Sequence, residues 1–293
     1  MSLSSRHTTL GMIVNTQKKR AADLAQRLLR WAPAQGINFR LPPQDSSALD
    51  VEPCLGPWTD GLSVALVIGG DGTFLRAARY ILEEEIALYG INVGRLGFLA
   101  AGDPENAERD VLQIVQGDFH RGQRSLLFGE IVRDGKSVQT MYALNDLVLT
   151  KGPLARVMEV EILVSGSLAC VLRSDGIIAS TPTGSTAYSL SAGGPIVPPH
   201  VPCMIMAPIC AHTLYARPMV LGPRDVLRLH PKGEGITLTQ DGQLGYELFP
   251  GDYIDIRLSF DKNLETLWLP DRSYYDLLRA KLMWGHSGLE DSV

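Results

Sequence analysis

The chain has 293 residues, of which 45% are apolar and 20% charged, with a formal net charge of −5. That balance excludes the disordered and fibrous classes, and the negative sign excludes general binding to nucleic acid, which needs many cations facing phosphates. The length is near the point where single hydrophobic cores stop growing, so two domains are expected.

No run approaches the ~20 apolar residues of a membrane helix, and the polar stretch Met1 to Thr9 lacks the apolar centre of a signal peptide. A cytoplasmic protein is expected. Cys54, Cys170, Cys203 and Cys210 are scattered, with no C-x-x-C pair, which predicts reduced, mostly buried thiols rather than a zinc site or disulfides. A phosphorylated small molecule stays compatible with the charge if arginines, backbone N–H groups and metal ions give local help.

The first part of the chain alternates strand and helix signals. Leu10 to Val14 reads as a strand, and Ala21, Leu24, Ala25 and Leu28 have helix spacing. Ile37 to Leu41 is a second strand, and the Pro-, Ser-, Asp- and Gly-rich stretch from Gln44 to Gly61 reads as a loop. Val64 to Ile68 is a buried strand, Thr73 to Glu85 a helix, Ile86 to Ile91 a strand and Ala107 to Val115 a helix. Such alternation predicts a parallel sheet with helices on its faces.

Beyond residue 122 the pattern changes to short strands. Leu126–Val132 and Val138–Leu144 flank an Asp134-Gly135 turn, a hairpin signal. Met158, Val160, Ile162 and Val164 alternate with period two. Further strand-like runs lie at Leu168–Leu172, Ile177–Ala179, Val226–Leu229, Ile236–Thr239 and Tyr253–Leu258, and Asp241-Gly242 marks another turn. This spacing predicts a β-sandwich. The chain closes with a helix from Tyr274 to Trp284, capped by Ser273 and stopped by Gly285. More apolar side chains (Tyr274, Tyr275, Leu277, Leu278, Leu282, Trp284) lie on it than one face usually hides.

Three segments carry chemistry. Gly69-Gly70-Asp71-Gly72-Thr73 joins a buried strand to a helix; the glycines allow a tight turn and close approach, and the helix start offers free N–H groups to phosphate. A carboxylate inside such a loop would repel phosphate unless it accepts a proton from an attacking hydroxyl or engages magnesium. The run from Ser180 to Ser191 holds eight hydroxyl side chains, too polar for a core strand yet directly following one. Hydroxyls and small residues there offer adaptable hydrogen bonds and room for a planar base. Leu144-Asn145-Asp146-Leu147 sets a polar pair between apolar residues, suited to vicinal ribose hydroxyls or to an ordinary turn. Neither G-x-x-x-x-G-K-[ST] nor G-x-G-x-x-G occurs, so the phosphate chemistry is neither P-loop nor ordinary Rossmann.

Taken together, these three segments resemble the NAD kinase family. The resemblance extends to Gly90–Leu99, to Ala207–Leu214 with Arg217-Pro218, to Asp241-Gly242-Gln243 and to the closing helix. The Gly69–Thr73 pattern is shared with lipid kinases, whereas the segment from Ser180 to Pro195 is specific. The resemblance implies that Asp71 is the proton acceptor and that Asp71 and Gly72 touch NAD, with Arg76 a basic contact found in part of the family. It implies that Asn145 and Asp146 engage ribose hydroxyls, that Asp175 meets the nicotinamide end, and that Arg156, Arg173 and Gln243 are contacts. Thr186, Ala187, Tyr188, Ser189, Leu190 and Ser191 would line the adenine and ribose site. This chain departs from the family at Asp146, where Glu is common, at Gln240, where an aromatic is common, and at Ala211, where Pro often precedes His212.

The expected architecture is an α/β N-terminal domain over residues 1–122, an all-β, sandwich-like domain over 123–267 that binds NAD, and a final helix in 268–293 that returns to pack on the N-terminal domain. The resemblance implies phosphoryl transfer from ATP, or another donor, to the 2′-hydroxyl of the adenosine ribose of NAD. It implies Mg²⁺ or another divalent cation accompanying the donor, with NAD bound between the domains and near a neighbouring subunit of a homodimer or homotetramer. No nucleic-acid or membrane partner is expected. A lipid kinase and a non-catalytic NAD(P) sensor stay open as alternatives on the sequence.

Overall fold

The computed structural model describes residues 8–152, 157–271 and 273–283. The chain divides into two compact units, one formed by residues up to Gly122 and from Glu265 onward, the other by Gln123–Leu264.

In the first unit, β1 (Thr8–Val14), α1 (Lys19–Trp31), β2 (Ile37–Arg40), α2 (Pro43–Ala48), β3 (Val64–Gly69), α3 (Asp71–Tyr80), β4 (Ala87–Asn92) and α4 (Ala107–Gln116) follow in order. The strands pair in parallel in the order β2-β1-β3-β4. All six residues of β3 and of β4 are buried, as strands covered on both faces must be. Ala21, Leu24, Ala25 and Leu28 are the buried residues of α1, the four whose spacing predicted the helix. With Ala107, Val111 and Ile114 of α4 they pack on Met12, Val14, Leu66, Ile68, Tyr89 and Ile91. Phe74 of α3 packs near Gly90, where a Cβ would lie 3.0 Å from its ring and 2.7 Å from the backbone of Ala100.

The helices differ from the sequence reading in two places. The stretch read as a loop from Gln44 contains α2, which starts with Pro43 in its first turn, a position where proline loses no hydrogen bond, and which buries Asp45 and Ser46. Helix α3 begins at Asp71 and ends at Tyr80 rather than running to Glu85, and the acidic stretch after it forms turns.

The second unit is built from β5 (His120–Arg133), β6 (Lys136–Ala143), β7 (Asp146–Lys151), β8 (Met158–Val164), β9 (Ser167–Ser174), β10 (Gly176–Ser180), the short α5 (Tyr188–Ser191), β11 (Met204–Ile209), β12 (Met219–Leu221), β13 (Leu227–Lys232), β14 (Ile236–Gln240), β15 (Leu244–Leu248) and β16 (Tyr253–Trp268). One sheet has the order β12-β11-β10-β7-β14-β15, and the other runs β9-β8-β13-β16 with β5 and β6 added. Between them Leu147, Leu149, Ile177, Met206 and Leu238 of the first meet Leu127, Val160, Ile162, Leu229 and Ile256 of the second in one core. The unit is therefore sandwich-like, as expected. Asp134 (φ 50°) and Gly135 (φ 73°) make the left-handed turn of the β5–β6 hairpin.

The last four residues of β16 and the described residues after it belong to the first unit, where Thr266 pairs in parallel with Leu88. The final helix α6 (Tyr274–Leu282) is capped by Ser273, whose hydroxyl accepts from the Asp276 N–H at 3.1 Å, and it buries Leu277 and Leu278. Lys281 donates to the Leu96 carbonyl, so the helix packs within the first unit, as expected. Trp284 and Gly285 lie outside the described residues.

Of the cysteines, only Cys203 is buried; Cys54 and Cys170 are half-buried, Cys210 is exposed, and all four are unpaired. The expectation of mostly buried thiols is not met, since one of the four is buried, and it fails furthest at Cys210, where β11 has ended at Ile209 and the chain turns in a left-handed conformation, φ 46°. Leu28, fully buried beneath the sheet, is the most informative core position. Leu28→Ala should lower stability by about 2–5 kcal/mol with the native circular dichroism retained, read from urea unfolding curves.

Candidate active site

In the first unit β3 ends at Gly69, and Gly70 is extended (φ −121°, ψ −170°) before Asp71 opens α3. Gly69 is needed for packing, since a Cβ there would lie 2.3 Å from the Thr73 hydroxyl. The Asp71 carboxylate accepts from the Phe98 N–H at 3.0 Å and the Leu99 N–H at 3.1 Å, one on each oxygen. Gly97 makes this possible, because a Cβ at that position would fall 2.1 Å from Asp71 Oδ1. Asn92 holds the same loop further up: its side chain donates to the Arg95 carbonyl at 2.6 Å and accepts from the Gly94 N–H at 2.9 Å. Gly72 is exposed.

Arg76 lies on the same helix but is engaged by the fold. It donates to the Val14 carbonyl at 2.7 Å, meets Asp45 at 3.3 Å and sits over the Tyr80 ring. Burial pushes the Asp45 carboxyl up, while the Val14 N–H and Arg76 pull it back down. Sequence reasoning missed Asp45 because it sits in a stretch whose Pro and Ser content signals a loop.

In the second unit Asn145 and Asp146 lie where the chain enters β7, a strand the sequence reading did not distinguish from a turn. Asp241, in the left-handed turn between β14 and β15 (φ 51°), accepts from three consecutive amides: Leu144 at 3.1 Å, Asn145 at 2.7 Å and Asp146 at 3.2 Å. Asp146 is only 5% exposed, and its carboxyl is pushed up to about 7, first by burial and then by the negative charge of Asp241. Gln240, the departure from an aromatic, is buried and tied on both sides, donating to the Tyr142 carbonyl and accepting from the Tyr246 hydroxyl. Gln243 is exposed on the same turn.

The hydroxyl-rich segment divides into two groups. Ser180, Thr181 and Ser185 are buried and are used to fold the segment itself. Thr181 donates to the Leu144 carbonyl at 2.5 Å and accepts from Gly184, Ser180 donates to the Asn145 carbonyl, and Ser185 bridges Pro182 and Val197. Thr183 and Ser189 are buried too, yet their hydroxyl oxygens have no hydrogen-bond partner among the described residues. Thr186 bonds back to the Thr183 carbonyl, Ala187 and Leu190 are half-buried, and Tyr188 and Ser191 are exposed. Gly184 approaches so closely that a Cβ would lie 2.0 Å from the Asn145 carbonyl oxygen, which brings this segment against the Asn145–Asp146 pair.

The other predicted contacts lie apart from that cluster. Asp175, between β9 and β10, is ion-paired with Lys151 at 3.1 Å. Arg173 on β9 has a side chain 73% exposed, paired with Glu159. It lines an open groove of ≈ 760 Å³ with Glu159, Met206, His212, Tyr215 and Met219. Arg156 lies outside the described residues. Lys151 was missed because a cation at the end of an apolar strand carries no signal until its partner is known. Among the described residues no group of three or more His, Cys, Asp or Glu is placed to hold a metal ion, and no helix is long and apolar enough to cross a membrane.

Comparison with known proteins bears on this arrangement. The patterns of the ATP-NAD kinase N-terminal and C-terminal domains match residues 58–119 and 144–265. An NAD kinase of Magnetococcus marinus is 37% identical over 95% of this chain and 94% of its own length. The chain belongs to the NAD kinase family. Another relative, an NAD kinase of Symbiobacterium thermophilum, is 37% identical over 92% of this chain and 97% of its own. Among solved structures, yeast NADH kinase complexed with NADH superposes with a TM-score of 0.84 at 22% identity, covering 96% of this chain and 88% of that one. An NAD kinase from Archaeoglobus fulgidus in complex with ATP gives 0.71 at 23% identity, over 94% of this chain and 98% of its own. These two likenesses speak to the fold.

The Asp146 carboxyl gives this family member a measurable titration. A group held at about 7 in the folded chain and at 3.8 when free keeps its proton in the native state over that interval. The unfolded chain has lost the proton there, so folding is penalised increasingly as pH rises and the penalty levels off above the folded value. Asp146→Asn removes the titration. Between about pH 5 and about pH 8 the parent should therefore lose some 2–3 kcal/mol of stability relative to Asp146→Asn, measured by paired urea titrations at each pH.

Proposed function

We propose that this chain is an NAD kinase enzyme that transfers the terminal phosphoryl group of ATP to the 2′-hydroxyl of the adenosine ribose of NAD, giving NADP. The observation that carries the reading is the Asp71 carboxylate, set at the first residue of α3 and steadied by the Phe98 and Leu99 amides. A carboxylate held this way can take a proton from an alcohol without first reorganising, and positioning supplies much of the rate in phosphoryl transfer. Asp71 accepts the 2′-hydroxyl proton as that oxygen bonds to the terminal phosphorus and the bond from phosphorus to the ADP oxygen breaks, so that ADP leaves, while the positive dipole end of α3 favours phosphate oxygens. Arg76, held by Val14 and Asp45, adds positive charge on the same helix.

The second unit supplies the acceptor contacts. Asn145 and Asp146 meet ribose hydroxyls, Asp175 with Lys151 beside it meets the nicotinamide end, and Arg173, Gln243 and Arg156 complete the contacts. Thr186, Ala187, Tyr188, Ser189, Leu190 and Ser191 line the adenine and ribose, and the buried, unpartnered hydroxyls of Thr183 and Ser189 support a polar ligand there, since such groups rarely stay unsatisfied. Mg²⁺, the expected divalent cation, neutralises charge on the donor phosphates when bound. Such a cation would be carried mainly by the donor's phosphate oxygens and by water. The enzyme acts in the cytoplasm.

Asp71→Asn tests the proton transfer. The variant keeps size and one acceptor, turns an NH₂ toward one of the two loop amides and cannot take the proton, so turnover should fall at least about 10²–10⁴-fold while NAD affinity stays within about threefold of the parent. Calorimetric NAD binding and a rate assay coupled to an NADP-specific dehydrogenase check both halves. Turnover above about a third of the parent's would show that Asp71 is no general base.

A homodimer or homotetramer formed through the second unit accounts for its surface. Leu214 is 85% and Tyr215 90% exposed, with Val171 and Met219 also exposed around the ≈ 760 Å³ groove, an apolar patch of the kind that marks interaction sites. Leu214→Asp with Tyr215→Asp should convert the oligomer to monomer in light scattering, and a parent that is itself monomeric and fully active would contradict the assembly.

A further inference from the structure

The segment from Leu144 to Asp146 is held in an unusual way. In an extended strand successive N–H groups point to opposite sides, so three in a row cannot share one acceptor. Here the N–H groups of Leu144, Asn145 and Asp146 all converge on the Asp241 carboxylate, which curls the chain into an anion-binding concavity just before β7 begins. The carbonyls are fixed as well. Leu144 O accepts from the Thr181 hydroxyl at 2.5 Å, Asn145 O from the Thr181 N–H at 2.9 Å, and Asp146 O from the Asp241 N–H at 2.9 Å. Every backbone polar group of the three residues is thus engaged, and Gly184 leaves no room for the Asn145 carbonyl to move.

We propose that Asp241 is the positioning residue of the NAD site: by gathering these three amides it sets the direction in which Asn145 and Asp146 meet the ribose hydroxyls. The proposal rests on the NAD kinase reading above and adds to it a residue that itself touches no substrate. Chemistry explains why a carboxylate is used. It accepts only, on two oxygens, whereas an asparagine would offer one oxygen and turn an NH₂ group toward amides that are themselves donors. The left-handed turn at Asp241 is one that aspartate tolerates, and the 7% exposure of the residue keeps water from competing for the amides.

The isosteric variant Asp241→Asn separates positioning from general structural support. Loss of aim weakens acceptor binding, so KM for NAD should rise about tenfold, with kcat and KM for ATP each within about threefold of the parent. In an Asn145→Ala, Asp146→Ala background the groups being aimed are gone, and adding Asp241→Asn should change KM for NAD less than twofold. A purely structural role would instead lower melting temperature and active fraction at unchanged KM, or raise KM equally in both backgrounds; either result overturns the proposal. If Asp241→Asn fails to fold, Asp241→Glu keeps the charge but displaces it by one methylene, and it too should raise KM for NAD at least threefold, a parental KM refuting the assignment. A parent that does not phosphorylate NAD at all would mark failure of the functional reading, which the parental assay reports before any variant is made.

Discussion

A backbone amide that leaves regular structure and is removed from water must find an acceptor, and an orphaned one costs about as much as a lost hydrogen bond. This chain meets that demand repeatedly with aspartate. Asp45 serves the end of β1, Asp71 serves Phe98 and Leu99, Asp241 serves Leu144 to Asp146, and Asp252 serves Phe249. The first three join a turn or helix to a strand end or loop far away in the chain, while Asp252 closes its own turn, so carboxylates help to decide where the irregular segments stop. Asp71 and Asp241 matter most, because the segments they tether are the ones on which the proposed chemistry depends.

The same economy divides the hydroxyl-rich run after β10. Ser180, Thr181 and Ser185 are consumed in shaping the turn, while Thr183 and Ser189 are enclosed with no hydrogen-bond partner for their hydroxyls among the described residues. One composition therefore serves two purposes, and residue type alone does not separate them. Burial does not separate them either, since all five are buried. The difference lies in whether a carbonyl or amide happens to stand within reach, which is a property of the folded segment.

Much of the architecture was legible in the sequence wherever one periodicity dominated. The spacing in α1 named its four buried residues, and Asp134-Gly135 named the tip of the β5–β6 hairpin. Strands β7 and β11 escaped because polar or proline-containing ends, Asn145-Asp146 and Pro208, broke the pattern, and α2 escaped because Pro and Ser weigh toward loops. Asp71 stood out within its glycine loop. Asp45, Lys151 and Asp241 did not, since their partners lie 31, 24 and about 95–97 residues away and a long-range ion pair or amide cluster leaves no local trace. Arg76 adds to this: the family resemblance implied a ligand contact, and its bonds to the Val14 carbonyl and the Asp45 carboxylate, which also give it a place in the fold, left no local trace in the sequence.

The left-handed turn that ends β11 leaves Cys210 exposed, while Cys203 is buried and Cys54 and Cys170 are half-buried. Burial also pushes the Cys170 and Cys203 thiols up, which reduces the reactive thiolate at both. The native chain thus carries a chemically privileged attachment point two residues before His212, one of the side chains lining the ≈ 760 Å³ groove. A maleimide dye would be drawn there first, giving an optical reporter at the rim of that surface without any engineered residue.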